Sequence, residues 1–504
     1  MASTLQDRSG DAIVPVVRNA DVELAPIPSS AKNTSHDHYL VSFQIPFDAE
    51  NPKDWPNGRK WAVTDVLSAT GFNRIMVSTI MAPALSSIAS ELNMNSIESV
   101  MSLSIYVLAT ALGPLLIGPL SEMYGRQVVL HASNIWFLVW NIACGFANTK
   151  ELLIAARFLA GFGASAIYAL AGGVLGDVWR PEQRGRSLGT YLLIPLLGAA
   201  VGPIIGGFMA ARTTWRWMFW ATSIFQAVMV AVSFTTFKET YAPLILKKRA
   251  DRLRRETGNQ QYYTSFERLD EKKSVVSILG RTLTRPLRLL ALHPIIQVCS
   301  AISAFYYGIL YIVLTSFATL WTDKYHQSVE ISGLHYIACA LGEVAGCQVG
   351  GPLMDFMYRR MLKHAGTEEH VPEFRIPLIL PVALLGPLGL FIYGWTAEYN
   401  VHWIAVDIGV FIYMFGGQIA GMPLQAYVMD AYPEHTSSAL AASQFLRSMT
   451  AFLFPLFAPS MYNVLGYGWG NSTLAFIGLV FGIPAPLTMW FWGARLRARA
   501  TSSH

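Results

Sequence analysis

"GPLSEMYGR", residues 118–126, interrupts a long apolar stretch, and "GPLMDFMYR", residues 351–359, writes the same pattern 233 positions later. Both open on Gly-Pro-Leu and place an acid fifth and an arginine ninth. Each sits where an apolar run gives way to polar residues. The chain is therefore read as two similar halves, with this signature closing the second apolar run of each. Glycine and proline are expected to tighten the turn out of the helix there, starting at Gly118 and Gly351. The charged residues Glu122, Arg126, Asp355 and Arg359 are expected to form a gate at the membrane surface, with Gly125 beside them.

Composition supports a membrane reading. Of 504 residues, 53% are hydrophobic and 14% charged, too little charge for a soluble chain of this size. Crossing a hydrocarbon core of about 30 Å takes about 20 mainly apolar residues in a helix. Twelve such runs are read, at 61–89, 99–121, 127–147, 151–176, 187–210, 216–237, 290–320, 331–354, 376–395, 401–427, 438–463 and 472–493. The expected fold class is an all-α membrane protein with twelve transmembrane helices in two pseudo-symmetric six-helix halves, 61–237 and 290–493. Residues 1–60 are read as a disordered cytosolic tail, 238–289 as a cytosolic linker with an amphipathic segment, and 494–504 as a second cytosolic tail.

Basic residues orient the bundle. With the N-terminus inside, 30 of the 37 Lys and Arg fall in cytosolic segments and four in outer loops (Lys150, Arg212, Arg216, Lys324). This distribution puts both termini in the cytosol. Basic runs such as "LKKRADRLRR" (246–255) anchor the inner face, and no nucleic-acid partner is implied. The four cysteines fall within the apolar runs and read as packing residues, with no disulfide framework or metal site. Two parallel halves related by an axis along the membrane normal are the layout of a rocking transporter whose site lies near the midplane.

Several further stretches carry a family likeness. "GPLSEMYGR", "LLIAARFLAG" (152–161) and "GAAVGPIIGG" (198–207) resemble, in order and placement, three signature motifs of the major facilitator superfamily. "NPKDWPNGRKW" (51–61), "VWRPEQRGRSLG" (178–189), "GPLMDFMYRRM" (351–361) and "FLFPLFAPSMYNVLGYGWG" (452–470) narrow the resemblance to its fungal twelve-span drug:proton antiporter branch. The first motif departs from the family pattern at Glu122, Met123 and Gln127, which leaves Glu122 and Arg126 as the main gate members. The third looks like the antiporter motif and contributes Gly198, Gly202, Pro203, Gly206 and Gly207.

Gly198, Gly202 and Gly206 recur every four residues, as do Gly342, Gly346 and Gly350. Each stripe offers a flat face for close helix approach. In the resembled fold these spans meet between the halves, so both stripes are expected at the rocking seam, with packing inside one half as the alternative. Pro203 favours a bend.

Ionisable groups inside hydrocarbon are costly and mark function. Arg74, Arg157, Glu343, Asp407 and Arg447 form that set, while Asp65 near a span end is read as able to snorkel. Glu343 is the favoured proton carrier, with Arg447 or Arg74 as its partner; a permanent structural ion pair is the alternative. Arg157 matches the family's motif arginine, and the resemblance implies a part in proton coupling or gating. His131 and His335 are read as hydrogen-bonded packing residues, with proton relay as the alternative.

The resemblance also implies a central cavity lined by spans one, four, seven and ten. Those spans offer Asn73, Ser78, Tyr168, Gln297, Tyr306, Tyr307, Tyr311, Tyr413, Gln418 and Gln425. Such a surface is aromatic and weakly charged, which suits a hydrophobic or amphipathic organic molecule. No GxxxxGK[ST] loop, HExxH pair or GxSxG elbow occurs, so neither ATP hydrolysis nor the common hydrolase chemistries are expected, and no cofactor or metal. The expected function is proton-driven export of drugs, toxins or an endogenous secondary metabolite by alternating access. Uptake or polyamine transport on the same scaffold, or ligand sensing without transport, remain the alternatives. A functional monomer in the plasma membrane is expected, with vacuolar or vesicular membranes as other addresses. The "NST" sequon (471–473) is expected to go unused.

Overall fold

Helices α1 (Asn57–Thr79), α2 (Ser96–Tyr124) and α3 (Arg126–Gly145) open the first half. Next come α4 (Lys150–Ala164, resuming after Ser165 as Ala166–Val178), α5 (Pro181–Arg212) and α6 (Arg216–Thr236). A charged helix α7 (Ala242–Thr257) and then α8 (Val275–Leu292) bridge to the second half. That half contains α9 (Pro294–Thr319), α10 (Tyr336–Ala365), α11 (Leu385–Glu398), α12 (Trp403–Ala431), α13 (Thr436–Gly482, broken at Gly466) and α14 (Pro484–Thr501). This computed structural model describes residues 39–266, 275–366, 371–432 and 436–501. Among the described residues, nine helices are long and apolar enough to cross a membrane.

Local chemistry sets the helix ends. Asn95 and Glu98 exchange side-chain and backbone bonds of 2.8 and 2.9 Å, a capping box that starts α2. Thr149 caps α4 through Leu152 N at 3.3 Å. The signature glycines act differently from expectation. Helix α2 runs straight through Gly118 and Pro119 to Tyr124 and stops at Gly125, whose φ is +95°. A Cβ on Gly125 would meet Glu239 Oε2 at 2.2 Å. That carboxylate accepts from Arg126 N at 3.0 Å and Gln127 N at 3.2 Å, capping α3. In the second copy α10 passes Gly351 and Pro352 and ends only at Gly366, with φ +61°. A proline removes a single ladder donor, and the surrounding apolar sequence is long enough to carry the helix past it.

The two glycine stripes pack within their own halves, against the expected seam. Cβ atoms on Gly198, Gly202 and Gly206 would lie 2.6, 2.7 and 2.0 Å from the carbonyls of Phe72, Met76 and Ile80 on α1. Those on Gly342 and Gly346 would lie 2.7 and 2.8 Å from the carbonyls of Phe411 and Phe415 on α12. The seam between halves uses other glycines. Gly207 faces Val329 O at 2.8 Å, and Gly333 faces Pro203 O at 2.8 Å.

Buried clusters place contact between halves at the distal end and at mid-depth. One apolar cluster joins Ile80, Met81, Leu85 and Ile88 to Ile312, Phe317, Trp321 and Tyr336 at the distal end, away from the start of α1. Arg212 and Glu330 close the same end with a 2.5 Å ion pair. At the proximal end, one cluster (Trp55, Leu67, Leu130, Trp179, Phe237) belongs to the first half and another (Ile295, Ile376, Tyr427, Met489) to the second. The ion pairs there also stay within a half among the described residues: Arg126 with Asp177, Arg375 with Asp430, and Arg497 with Glu373.

Residues 39–60, expected in the disordered tail, are folded. Leu40–Val41 and Tyr263–Thr264 pair as parallel strands β1 and β2, and Asp48 meets Arg249 of α7 at 2.7 Å. Residues 1–38 lie outside the described residues. At the other end, α14 continues through the expected tail to Thr501. Asn471 of the sequon is buried and donates to Tyr467 O at 2.9 Å.

Candidate functional site

Three of the expected cavity tyrosines converge at mid-depth. Tyr168 of α4 is 46% exposed, and the rings of Tyr307 and Tyr311 of α9 meet at a tilt with centroids 5.3 Å apart. The Arg447 guanidinium of α13 lies 4.3 Å from the Tyr307 centroid, a cation–π contact. The opposing wall is close, since Val107 of α2 shares a cluster with Tyr311 and Ala451, and Thr110 Oγ1 sits 3.4 Å from Ser448 Oγ. Residues of both halves therefore meet around these rings. Ser78 of α1, which donates to Ile75 O at 2.6 Å, also reaches Tyr311.

Glu343 of α10 is half-buried, and Arg447 is the cation within electrostatic reach of it. Among the described residues neither makes an ion pair within 4 Å. An acid and a guanidinium that face without bonding can exchange partners at small geometric cost. Arg74, the other expected partner, is elsewhere. Its buried guanidinium bonds to Asn134 and donates to Ala164 O at 3.2 Å, wholly inside the first half. Arg157 is also fully buried. It donates to Val77 O at 2.9 Å, Ser102 O at 3.2 Å and Leu103 O at 3.4 Å, and lies 4.5 Å from the Tyr106 ring centre. It ties α1, α2 and α4 together with no carboxylate within 4 Å among the described residues.

Asp407 has a partner the sequence did not assign. His335 Nδ1 lies 2.8 Å from Asp407 Oδ2, and His335 Nε2 lies 2.8 Å from Gln327 Oε1. Trp321 stacks on the imidazole with centroids 3.7 Å apart. His335, read as packing, thus joins the charged set about two helical turns from Glu343 on the distal side. Only His335 and Asp407 each carrying ionisable chemistry hinted at this; their separation of 72 positions hid the pair. His131 keeps the packing role, stacked 4.1 Å from Phe234. Asp65 is exposed.

Other expected cavity residues are placed away from the tyrosine cluster. Asn73 is buried against α6, donating to Thr222 O at 3.2 Å and Gln226 Oε1 at 3.1 Å. Tyr413 is buried in the second half and donates to Tyr306 O at 2.8 Å, while Tyr306 itself abuts Gly386 and Gly482. Gln297 bonds to Ala291 O at the proximal end of α9, Gln425 is exposed, and Gln418 contacts the α10 stripe through Gly346. The first half turns Asn73 toward its own helices, which a residue list per span cannot tell.

The gate residues also find unforeseen partners. Arg126 pairs with Asp177 at 3.5 Å, bonds to Ser121, and lies 5.0 Å from the Tyr241 ring centre. Glu122 is exposed. Asp355 meets Arg375 at 3.8 Å, Arg375 reaches Asp430 at 3.0 Å, and Arg359 bonds to the Asp355 carbonyl. Asp177, Glu239, Arg375 and Asp430 are the members that the motif pattern does not contain.

Comparison with known proteins follows the same lines. The family model described as Major Facilitator Superfamily matches residues 67–455. "Probable efflux pump mfs2" of Aspergillus flavus is 54% identical over 425 residues, 84% of this chain and 100% of that relative. "Efflux pump vrtL" of Penicillium aethiopicum is 41% identical over 98% of both chains. Among solved structures, the xylose transporter XylE from E. coli in a partially occluded inward-open conformation superposes with a TM-score of 0.60 at 15% identity, covering 86% of this chain and 98% of its own, a likeness of fold.

Proposed function

The chain belongs to the major facilitator superfamily, and on that premise we propose that it exports hydrophobic or amphipathic small organic molecules in exchange for protons. The observation that carries this reading is the ring pair Tyr307 and Tyr311, packed against Val107 of the first half and beside Arg447, with Tyr168 and Glu343 within electrostatic reach. Aromatic faces take up an apolar solute at little desolvation cost, and the neighbouring acid supplies a site that binds and releases a proton. The efflux names of relatives at 54% and 41% identity support the direction.

Twelve spans and cytosolic termini complete the reading. To the nine apolar helices are added α1 and α5, and the long segment through Gly466 counts as two, since Gly466 has φ +68° and breaks it. The proximal end, rich in Lys and Arg, then faces the cytosol. Halves joined at the distal end and at mid-depth, with the buried proximal clusters each confined to one half, describe a carrier whose cavity faces inward. One chain holds both halves of the path, so the working unit is a monomer, placed in the plasma membrane.

Accumulation of labelled apolar compounds in efflux-deficient yeast tests this. Cells expressing the chain should retain less compound, the difference should vanish with a protonophore, and Glu343→Gln should abolish it while expression and melting temperature hold. Export that persists unchanged in a protonophore-treated cell or in the Gln variant would refute proton coupling through Glu343. Uptake that rises with the gradient would instead make the chain an importer.

A further inference from the structure

Two of the motifs have so far found no role in transport. "NPKDWPNGRKW" and "VWRPEQRGRSLG" fold against each other at the proximal end, where Asp54 Oδ1 accepts from Arg180 at 2.8 Å and the Lys60 ammonium lies 5.6 Å from the Trp179 ring centre. Between them opens a cavity of about 280 Å³ lined by Phe47, Lys53, Asp54, Trp55, Lys60 and Arg180, among others.

Among the described residues that line this cavity, charge does not balance. It holds three cations and one carboxylate. That carboxylate is already committed: Asp54 accepts from Arg180, from Asn51 Nδ2 at 3.0 Å and from Asp48 N at 3.3 Å. Lys60 is only 4% exposed, and its ammonium makes one hydrogen bond, to Lys53 O at 2.7 Å, with no carboxylate within 4 Å among the described residues. Its other two protons have no protein acceptor among the described residues, in a place where a mostly buried cation is stabilised when an anion joins it. Helix α1 starts beside it without a side-chain cap, so its first amides add positive partial charge at the same spot.

An apolar feature lies at the edge of the same cavity. Ile45 is 95% exposed and Phe47 62% exposed, both outside any span, in a segment otherwise held by ion pairs. Large apolar side chains left exposed next to Lys53 and Lys60, which make no ion pair among the described residues, match the boundary between lipid headgroups and acyl chains.

We propose that this cavity binds the phosphate of an anionic phospholipid headgroup, contacted by Lys53, Lys60 and Arg180, with Ile45 and Phe47 seated in the acyl boundary. The inner-leaflet placement rests on the topology proposed above; the binding itself does not. Anionic lipid would then pin the segment before α1 and the loop after α4 to one membrane surface, which bears on how the first half moves.

The test uses the purified full chain with native mass spectrometry, counting retained phosphatidic acid, phosphatidylserine or phosphatidylcholine. One phosphatidic acid or phosphatidylserine should be retained in preference to phosphatidylcholine. Lys60→Met with Lys53→Glu should weaken retention about tenfold. Because Lys60 is buried, Lys53→Glu alone, at an exposed position, serves as the fold-preserving check and should still weaken it severalfold. Phe47→Ser should weaken lipid retention while leaving competition by inorganic phosphate unchanged. Equal retention of anionic lipid in the Lys variants would overturn the proposal, and so would inorganic phosphate binding as tightly as the lipid, which would make free phosphate the ligand. An impermeant maleimide on Ser42→Cys separates the topology: labelling only after permeabilisation upholds the inner leaflet, whereas labelling of intact cells overturns the leaflet and topology readings and leaves the lipid counts to stand or fall alone.

Discussion

Arg157 shows what a buried cation does when no carboxylate is near. Its three donors hold carbonyls on α1 and α2, so the charge is dispersed over backbone dipoles and three helices share one anchor. Arg157→Lys keeps the charge but loses the fork geometry, and it should cost about 2–3 kcal/mol through the lost charge-assisted hydrogen bonds of a buried cation, read as a lower melting temperature in detergent. His335 and Asp407 are the contrasting case, a directly bonded pair. A cycle of His335→Asn, Asp407→Asn and the double variant should show a coupling of about 1–3 kcal/mol in thermal unfolding, whereas additive losses would mean the 2.8 Å contact contributes little. The candidate charges were legible in the sequence because any ionisable residue in an apolar run stands out. Their partners were not, since Asp407, Arg126 and Arg74 each pair with a side chain from a different helix.

At the scale of elements, glycines with the same spacing do different work. Gly206 lies under the Ile80 carbonyl, and backbone has nowhere to move, so Gly206→Val should abolish folding or expression of the α1–α5 pair. Nothing lies within 4 Å of a Cβ on Gly118. Gly118→Ala should therefore leave this conformation intact and even add up to about 1 kcal/mol of helix stability. Efflux should nevertheless fall, which would place the requirement for that glycine in the opposite conformation; melting temperature and export measured together check both parts. The short segment 39–56 is an element of its own kind, held by Asp48 to Arg249 and by Asp54 to Arg180. The hydrogen bond from Arg180 holds the Asp54 carboxyl below the usual carboxylate range. A depressed folded value means that stabilisation is full above the unfolded value, about 3.9, and is lost as pH falls through the folded one. Hydrogen-exchange protection across residues 39–54, taken relative to the unfolded chain at each pH, should thus hold from neutral pH to about 4 and fall only below it.

For the molecule as a whole, the proposed inward-facing exporter would have to open at its distal end. Arg212 and Glu330 join the halves there, with Pro203, Gly207 and Gly333 in direct backbone contact beside them. With the four native cysteines replaced, Arg212→Cys and Glu330→Cys should cross-link readily, stop efflux, and regain it on reduction. Transport that continues through the cross-link would mean that this end need not open. The proximal ion pairs, confined within each half, offer no comparable lock in this conformation among the described residues.

The amino-acid sequence by itself determined that this is a helical membrane chain of repeated halves, because apolar run length, turn chemistry and the echo of "GPLSEMYGR" are local properties that need no partner. It also marked the costly intramembrane charges, Glu343 foremost. Only the tertiary structure decided which helix each face meets. Periodicity puts Gly198, Gly202 and Gly206 on one side of α5 but is silent on whether α1 or the other half lies opposite. The same holds for Asn73, turned to α6, and for His335, drawn to Asp407 across 72 positions. A hydrogen bond or close backbone contact is satisfied by whatever the fold brings within 3 Å, and that is a property of the assembled bundle.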